Sequence, residues 1–198
     1  MFKIQNISKS EPYNVFLKYL EKAKEKNQHP IDAVAINSYN IESNEVESRF
    51  VNLKFIIDDK WIFFTNYESP KAKQFSTHKQ IASTFYWQSI NVQIRLKSFV
   101  EMIDKDFSDD YFKNRKYEKN ILSVSSKQSR KIESYEQVKN NYEKTLKDDK
   151  LLVRPSYWGG YFFRPYYFEF WEGHPSRINK RECYELHGKD WKKSFLEP

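Results

Sequence analysis

A mostly β fold with flanking helices, its strands closing into one antiparallel barrel, is the architecture that this 198-residue sequence predicts. Three observations carry the prediction. Segments of strand length with period-two alternation follow one another from Asp32 to Lys105, joined by short polar turns. Helical periodicity is confined to a few short stretches, so the pattern is unlike the strand–helix alternation of a doubly wound sheet. Aromatic residues are 18% of the chain, with 16 Phe and 14 Tyr, and supply much of the core volume. The length fits one domain over 1–198.

Residues 1–11 are expected to be flexible. Pro12–Lys26 reads as a helix: Val15, Phe16, Tyr19, Leu20 and Ala23 fall at helical spacing, Ser10 or Glu11 is placed to cap it, and Pro12 suits the first turn. Ala33, Ala35 and Asn37 face one way along the next strand, with Val34 and Ile36 opposite. The polar run Asn37–Glu47 reads as a turn and Glu47–Ile57 as one strand. Asp58–Lys60 turns the chain into a strand over Trp61–Thr65. Ser69–His78 predicts a short helix with Ser69 as cap and Pro70 at its first position. Gln80–Gln88 and Ser89–Lys105 form a hairpin. Phe107–Lys119 reads as a helix capped by Ser108, Ile121–Arg130 as irregular, and Ser134–Leu146 as a helix made amphipathic by Tyr135, Val138 and Tyr142. Residues 151–198 supply the C-terminal strands. Trp158-Gly159-Gly160 reads there as a paired-glycine turn, and Tyr161–Trp171 as a strand bent or bulged at Pro165. A final hairpin spans Glu182–Leu196.

A formal charge of +7 suits nucleic acid, an anionic membrane or an anionic small ligand. The cations are mixed with 27 acidic residues and form no block, and no nucleic-acid motif is present, so nucleic acid is not expected. One cysteine, Cys183, excludes an intrachain disulfide and a CxxC metal site, and the 4 histidines lack metal-ligand spacing. No apolar run of membrane-spanning length and no secretory h-region occurs, so no membrane partner and a cytoplasmic location are expected.

The chain lacks GxSxG, HExxH, Walker A and GxGxxG motifs. What remains is a scatter of cations, amides and hydroxyls: Arg49, Lys54, Thr65, Lys71, Gln93, Gln128, Ser129, Arg177 and Arg181. Taken singly these are solvated strand and loop residues. Together, on an aromatic background, they suit a planar phosphorylated cofactor. Phosphate is taken by Arg, Lys and a helix start such as Ser69–Lys73, and an isoalloxazine ring by amides on its edge and stacking on its face.

Several motifs in order carry a family resemblance: RFVNLK at Arg49–Lys54, FFTNYES at Phe63–Ser69 followed by Lys71, FYW at Phe85–Trp87, and QIR at Gln93–Arg95. They continue with YFxxR at Tyr111–Arg115, SKQS at Ser126–Ser129, WGGY at Trp158–Tyr161, EFW at Glu169–Trp171, RINKR at Arg177–Arg181 and WxxxxLxP at Trp191–Pro198. From about Tyr13 onward the chain resembles the pyridoxamine 5′-phosphate oxidase family. The resemblance implies a split β-barrel homodimer with FMN at the subunit interface. It also implies oxidation of pyridoxamine or pyridoxine 5′-phosphate to pyridoxal 5′-phosphate, with O2 as acceptor.

The resemblance places Arg49, Phe50, Val51, Leu53, Lys54, Phe64, Thr65, Lys71, Gln93, Gln128, Ser129, Trp171 and Arg181 at the cofactor. It places Lys54, Tyr111, Arg115, Lys119, Arg177 and Asn179 at the substrate, with Arg177 and Asn179 in the catalytic positions. Tyr111 and Arg115, four apart on the expected helix, would reach one phosphate. Pro70 stands where the family commonly has Arg, Lys119 where it has a small hydroxyl residue, Asn179 where it has His, and Phe195 where it often has Arg. Asn179 and Lys119 favour one rival, an FMN oxidase of another aromatic ring, of the phenazine-biosynthesis type; the other rivals are a non-catalytic flavin or pyridoxal-phosphate binder and a basic nucleic-acid-binding barrel.

Overall fold

The computed structural model describes residues 2–146 and 153–198. They form a mostly β protein built on one 10-stranded sheet. Its strands are β1 (Lys3–Gln5), β2 (Ala33–Asn40), β3 (Glu45–Asn52), β4 (Phe55–Ile57), β5 (Lys60–Asn66), β6 (Gln80–Trp87), β7 (Val92–Met102), β8 (Trp158–Glu172), β9 (Lys180–His187) and β10 (Asp190–Phe195). The helices are α1 (Glu11–Glu25), α2 (Pro70–Thr77), α3 (Lys105–Asn114), α4 (Tyr117–Ser125) and α5 (Tyr135–Thr145).

The strand order is β1-β4-β5-β8-β7-β6-β2-β3, with β9 added to β8 and β10 to β9. This is an open path, which corrects the expected closed barrel. Its two ends meet where β3 passes into β4: Leu53 N–H donates to Asp32 O at 2.8 Å and Lys54 N–H to Ile62 O at 2.8 Å. A single crossing segment thus joins the ends in place of a closing strand pair. That crossing also splits the expected strand Glu47–Ile57 into β3 and β4.

β8 organises the sheet. Trp158–Phe163 pairs with β5 and Tyr167–Glu172 with β9, while β7 runs alongside both halves. The change of partner falls at Pro165, where the β7–β8 register shifts and Tyr166 is left unpaired. Proline has no N–H for a ladder, so a bulge is where it fits. The paired glycines lie inside β8 rather than in a turn. A Cβ on Gly160 would sit 2.5 Å from Ile103 Cγ2 and 3.0 Å from Phe64 Cε1, so the missing side chain lets the Phe64 ring close onto the strand.

The core lies between α1 and the sheet. Tyr13, Phe16, Tyr19, Leu20 and Ala23 are buried, and Phe16 meets Trp61 edge-on at 4.6 Å. Residues expected to be flexible at the start of the chain are tied down as well: β1 pairs with β4, and Phe2 is buried against Phe16.

Three other local readings change. The polar run after Asn37 is mostly strand, because β2 and β3 pair from Ala33–Asn52 to Asn40–Glu45 and leave only 41–44 to turn. The expected helix Phe107–Lys119 is broken. α3 ends at Asn114, Arg115 is extended at φ −84° and ψ 166°, and α4 takes up residues expected to be irregular. Ser108 does not cap α3; Asp104 does, accepting from Asp106 N–H and Phe107 N–H, while Ser108 Oγ accepts from Gly160 N–H. The helix expected over Ser134–Leu146 forms as α5, with Ser134 capping it, but α5 buries none of its residues and Tyr135 is 77% exposed. Leu151 and Leu152, part of the segment expected to lead into the C-terminal strands, lie outside the described residues.

Candidate functional site

A cleft of about 460 Å³ opens between β3, the end of β5, the start of α2 and the segment Gln128–Ser129. Arg49 enters it from β3. The alternation that buries Val34 and Ile36 also buries Ser38, and its Oγ accepts from Arg49 Nη1. Arg49 Nη2 donates to Glu47 at 2.8 Å and to Gln74 Oε1 at 3.3 Å. Phe50, Val51 and Lys54 also line the cleft, whereas Leu53 is fully buried in the core and does not. Phe64 and Thr65 come from β5.

Lys71 lies in the first turn of α2 and is 6% exposed. Its Nζ donates to Thr65 Oγ1 at 3.1 Å and Ser69 Oγ at 3.2 Å. Among the described residues no carboxylate lies within ion-pair distance of it. Burial, then the neighbouring Arg49 charge, pulls the Lys71 ammonium down to about 8, with Glu47 opposing. Gln128 closes this side: its Oε1 accepts from Thr65 Oγ1 and Asn66 N–H, both at 3.2 Å. Ser129 follows at φ 66°, the left-handed region where a side chain is strained.

Lys54 belongs to a second cationic group. Its Nζ is 3.5 Å from Asp32 Oδ2. Burial pushes its ammonium down, Asp32 opposes this, and the Lys119 and Arg115 charges lower it further. Arg115 is not on one helix with Tyr111. It sits in the α3–α4 break, its guanidinium 4.2 Å over the Trp158 ring and donating to Asn120 Oδ1, Lys119 O and Ser123 Oγ. Burial pulls it down to about 10. Tyr111 stacks on Phe64 at 3.9 Å with 12° between the planes, which joins this group to the cleft wall.

The remaining expected residues lie elsewhere. Gln93, Trp171 and Arg181 form one row across β7, β8 and β9. Phe64 is paired with Gly160, and Trp171 is eleven residues further along β8. At about 3.3 Å per residue, roughly 35 Å of strand separates the row from the cleft. Arg177 and Asn179 follow Trp171 in the loop before β9. Arg177 is held at φ 61° and Asn179 Oδ1 accepts from His174 N–H at 3.0 Å. One chain therefore holds the expected residues in separate groups rather than around a single cleft.

Sequence reasoning missed Ser38, Gln74 and Asp32, the partners of Arg49 and Lys54. Ser38 had a signal, a polar residue on the apolar phase of Val34 and Ile36. Among the described residues no cluster of metal-ligating side chains occurs, and no helix is long and apolar enough to cross a membrane.

Comparison with known proteins identifies the family and the fold. The model of the pyridoxine 5′-phosphate oxidase C-terminal dimerisation region matches residues 158–198, which hold β8 to β10. A pyridoxine/pyridoxamine 5′-phosphate oxidase of Hydrogenovibrio crunogenus is 30% identical over 96% of this chain and 89% of its own length. One from Polynucleobacter asymbioticus is 38% identical over 76% and 72%. The crystal structure of PhzG from Burkholderia lata, in complex with tetrahydrophenazine-1-carboxylic acid, superposes with a TM-score of 0.89 at 25% identity, covering 96% of this chain and 93% of that one. A pyridoxamine 5′-phosphate oxidase-related, FMN-binding protein of Nostoc punctiforme shares the fold, with a TM-score of 0.79 at 11% identity, over 96% and 99%. The chain belongs to the pyridoxine/pyridoxamine 5′-phosphate oxidase family.

Proposed function

We propose that the protein is an FMN-dependent oxidase that converts pyridoxamine or pyridoxine 5′-phosphate to pyridoxal 5′-phosphate with O2 as acceptor, and that it works as a homodimer. The observation that carries this is Lys71, a buried ammonium with two hydroxyl acceptors and, among the described residues, no carboxylate in ion-pair reach. A buried cation is costly unless an anion meets it, and a phosphate group supplies that anion. Arg49, Thr65, Ser69 and the start of α2 would hold the FMN phosphate with it. Pro70 removes a fork from this nest, leaving Arg49 to supply the guanidinium.

The second group, Lys54, Arg115, Lys119 and Tyr111, would take the phosphate of the substrate. Lys119 adds a cation where a hydroxyl is expected, which favours a dianion. Gln93, Trp171 and Arg181 of the other copy would complete the cofactor site, since about 35 Å of strand keeps a chain's own row out of its cleft. Arg177 and Asn179 of that copy would lie over the substrate ring. Bound FMN supplies a hydride acceptor that O2 can reoxidise. The residues bind and orient: Arg177 fixes the ring and polarises it, and the walls hold the reacting atoms within reach.

A second reading, oxidation of a reduced aromatic carboxylic acid, is favoured by Asn179. Its carbonyl already accepts from His174 N–H, its NH2 group remains as a donor, and unlike an imidazole it takes no charge. Spectra of the FMN-loaded protein without oxygen separate the readings. Pyridoxamine 5′-phosphate is expected to bleach the visible flavin band, and air to restore it. Bleaching by tetrahydrophenazine-1-carboxylic acid alone favours the second reading. No bleaching by either leaves a flavin-binding protein without this activity.

A further inference from the structure

Two buried carboxylates among the described residues, Glu169 and Glu182, are so far without a task, and Glu169 is the one that touches the row. Glu169 is 2% exposed and lies in β8 on the sheet face that carries Gln93, Trp171 and Arg181. Its Oε1 accepts from Arg181 Nε at 3.0 Å and Nη2 at 2.8 Å. Its Oε2 accepts from Arg95 Nη1 at 2.8 Å and from the Tyr167 hydroxyl at 3.0 Å. We infer that Glu169 is a positioning residue: it holds the Arg181 guanidinium in the orientation in which the cofactor meets it. The inference rests on the reading of Arg181 as a cofactor ligand.

Arg181 has five N–H donors. Glu169 takes two of them, and Glu197 O takes one from Nη1 at 2.9 Å. One N–H on each terminal nitrogen is left for a ligand, on a guanidinium that no longer turns. The charges agree with this use. One carboxylate faces two guanidiniums, so the cluster keeps a net positive charge for an electron-rich ligand. Stability alone does not account for Glu169, because well-packed apolar residues commonly replace a buried ion pair without loss. Tyr167, in contact with Cys183 Sγ at 3.3 Å, holds the carboxylate from below.

A mutant cycle on FMN affinity tests this, read by quenching of flavin fluorescence in the full-length protein. Glu169→Gln is expected to weaken FMN binding by roughly tenfold or more, and to change it by less than about twofold in an Arg181→Gln background. In flavin-free protein, phenylglyoxal is expected to label Arg181 faster in Glu169→Gln than in the parent. Should Glu169→Gln fail to fold, Glu169→Asp, which draws the carboxylate back by one methylene, is read in the same two ways. Unchanged affinity and labelling overturn the inference, and so does a penalty that persists in full without Arg181. A parent protein that takes up no FMN defeats the cofactor reading instead, and labelling then decides the positioning role alone.

Discussion

Lys71→Met is expected to weaken FMN binding by about 30-fold or more while making the flavin-free protein more stable. The two effects share one cause. The Lys71 ammonium is buried beside hydroxyls and another cation, and its pKa falls from an ordinary 10.5 to about 8. At about 1.36 kcal/mol per pH unit, keeping it charged in the flavin-free protein costs about 3 kcal/mol. A group with a lowered folded pKa binds fewer protons folded than unfolded. That cost is therefore present in full below about pH 8 and fades as the pH rises toward 10.5, so the stability of the flavin-free protein rises across that window. Phosphate reverses the sign by favouring the protonated amine, so FMN affinity falls above about pH 8. Truncating one member of a buried charge pair costs about 2–5 kcal/mol, which sets the lower bound of 30-fold. Fluorescence titration and thermal melts of both proteins measure the two effects. A variant that binds FMN normally, or that melts earlier without flavin, contradicts the phosphate role.

Arg115→Lys is expected to raise KM for the phosphorylated substrate by roughly 10- to 100-fold and to change kcat little. Lysine keeps the charge but loses the planar fork and its stacking on Trp158. Hydrogen bonds to charged groups are worth about 1.5–3 kcal/mol, which corresponds to that range. The melting temperature should also fall, because the guanidinium stitches the α3–α4 corner through Asn120, Lys119 and Ser123. Steady-state kinetics of the FMN-loaded enzyme measure the split. A collapse of kcat at unchanged KM would place Arg115 at the chemistry instead of at the phosphate.

Much of the architecture was legible where local chemistry decides it. Pro12 and Pro70 mark the first turns of α1 and α2, and Pro165 falls at the bulge where β8 changes partners. The alternation of β7 gave its buried face directly. The α3–α4 break was not legible, because no Gly or Pro marks it. Asn120 Nδ2 bonds Phe112 O, and Arg115 turns onto the next helix; both are tertiary effects. β1 is three residues long and owes its existence to β4. α5 has a helical pattern and a proper cap, yet it lies only against α4 and buries none of its own residues fully. Residue types and spacing supplied the candidates, but only topology shows that they fall into separate groups. Arg49 on β3 and Lys71 on α2 line the cleft, and Gln93, Trp171 and Arg181 lie at the far end of β8.

That separation leads to the claim on which the functional account stands: a complete cofactor site takes one group from each of two copies. Mixing subunits tests it. Lys71→Met spoils the cleft and Arg181→Gln spoils the row, so at an FMN concentration that just fills the parent protein each variant alone is expected to hold little FMN. Unfolded together in equal amounts and refolded with FMN, half of the dimers should be mixed, each with one intact cleft facing one intact row. Flavin content is then expected to recover to about a quarter of the parent value. A mixture that stays colourless, although both variants refold and pair, would show that one chain builds the site by itself.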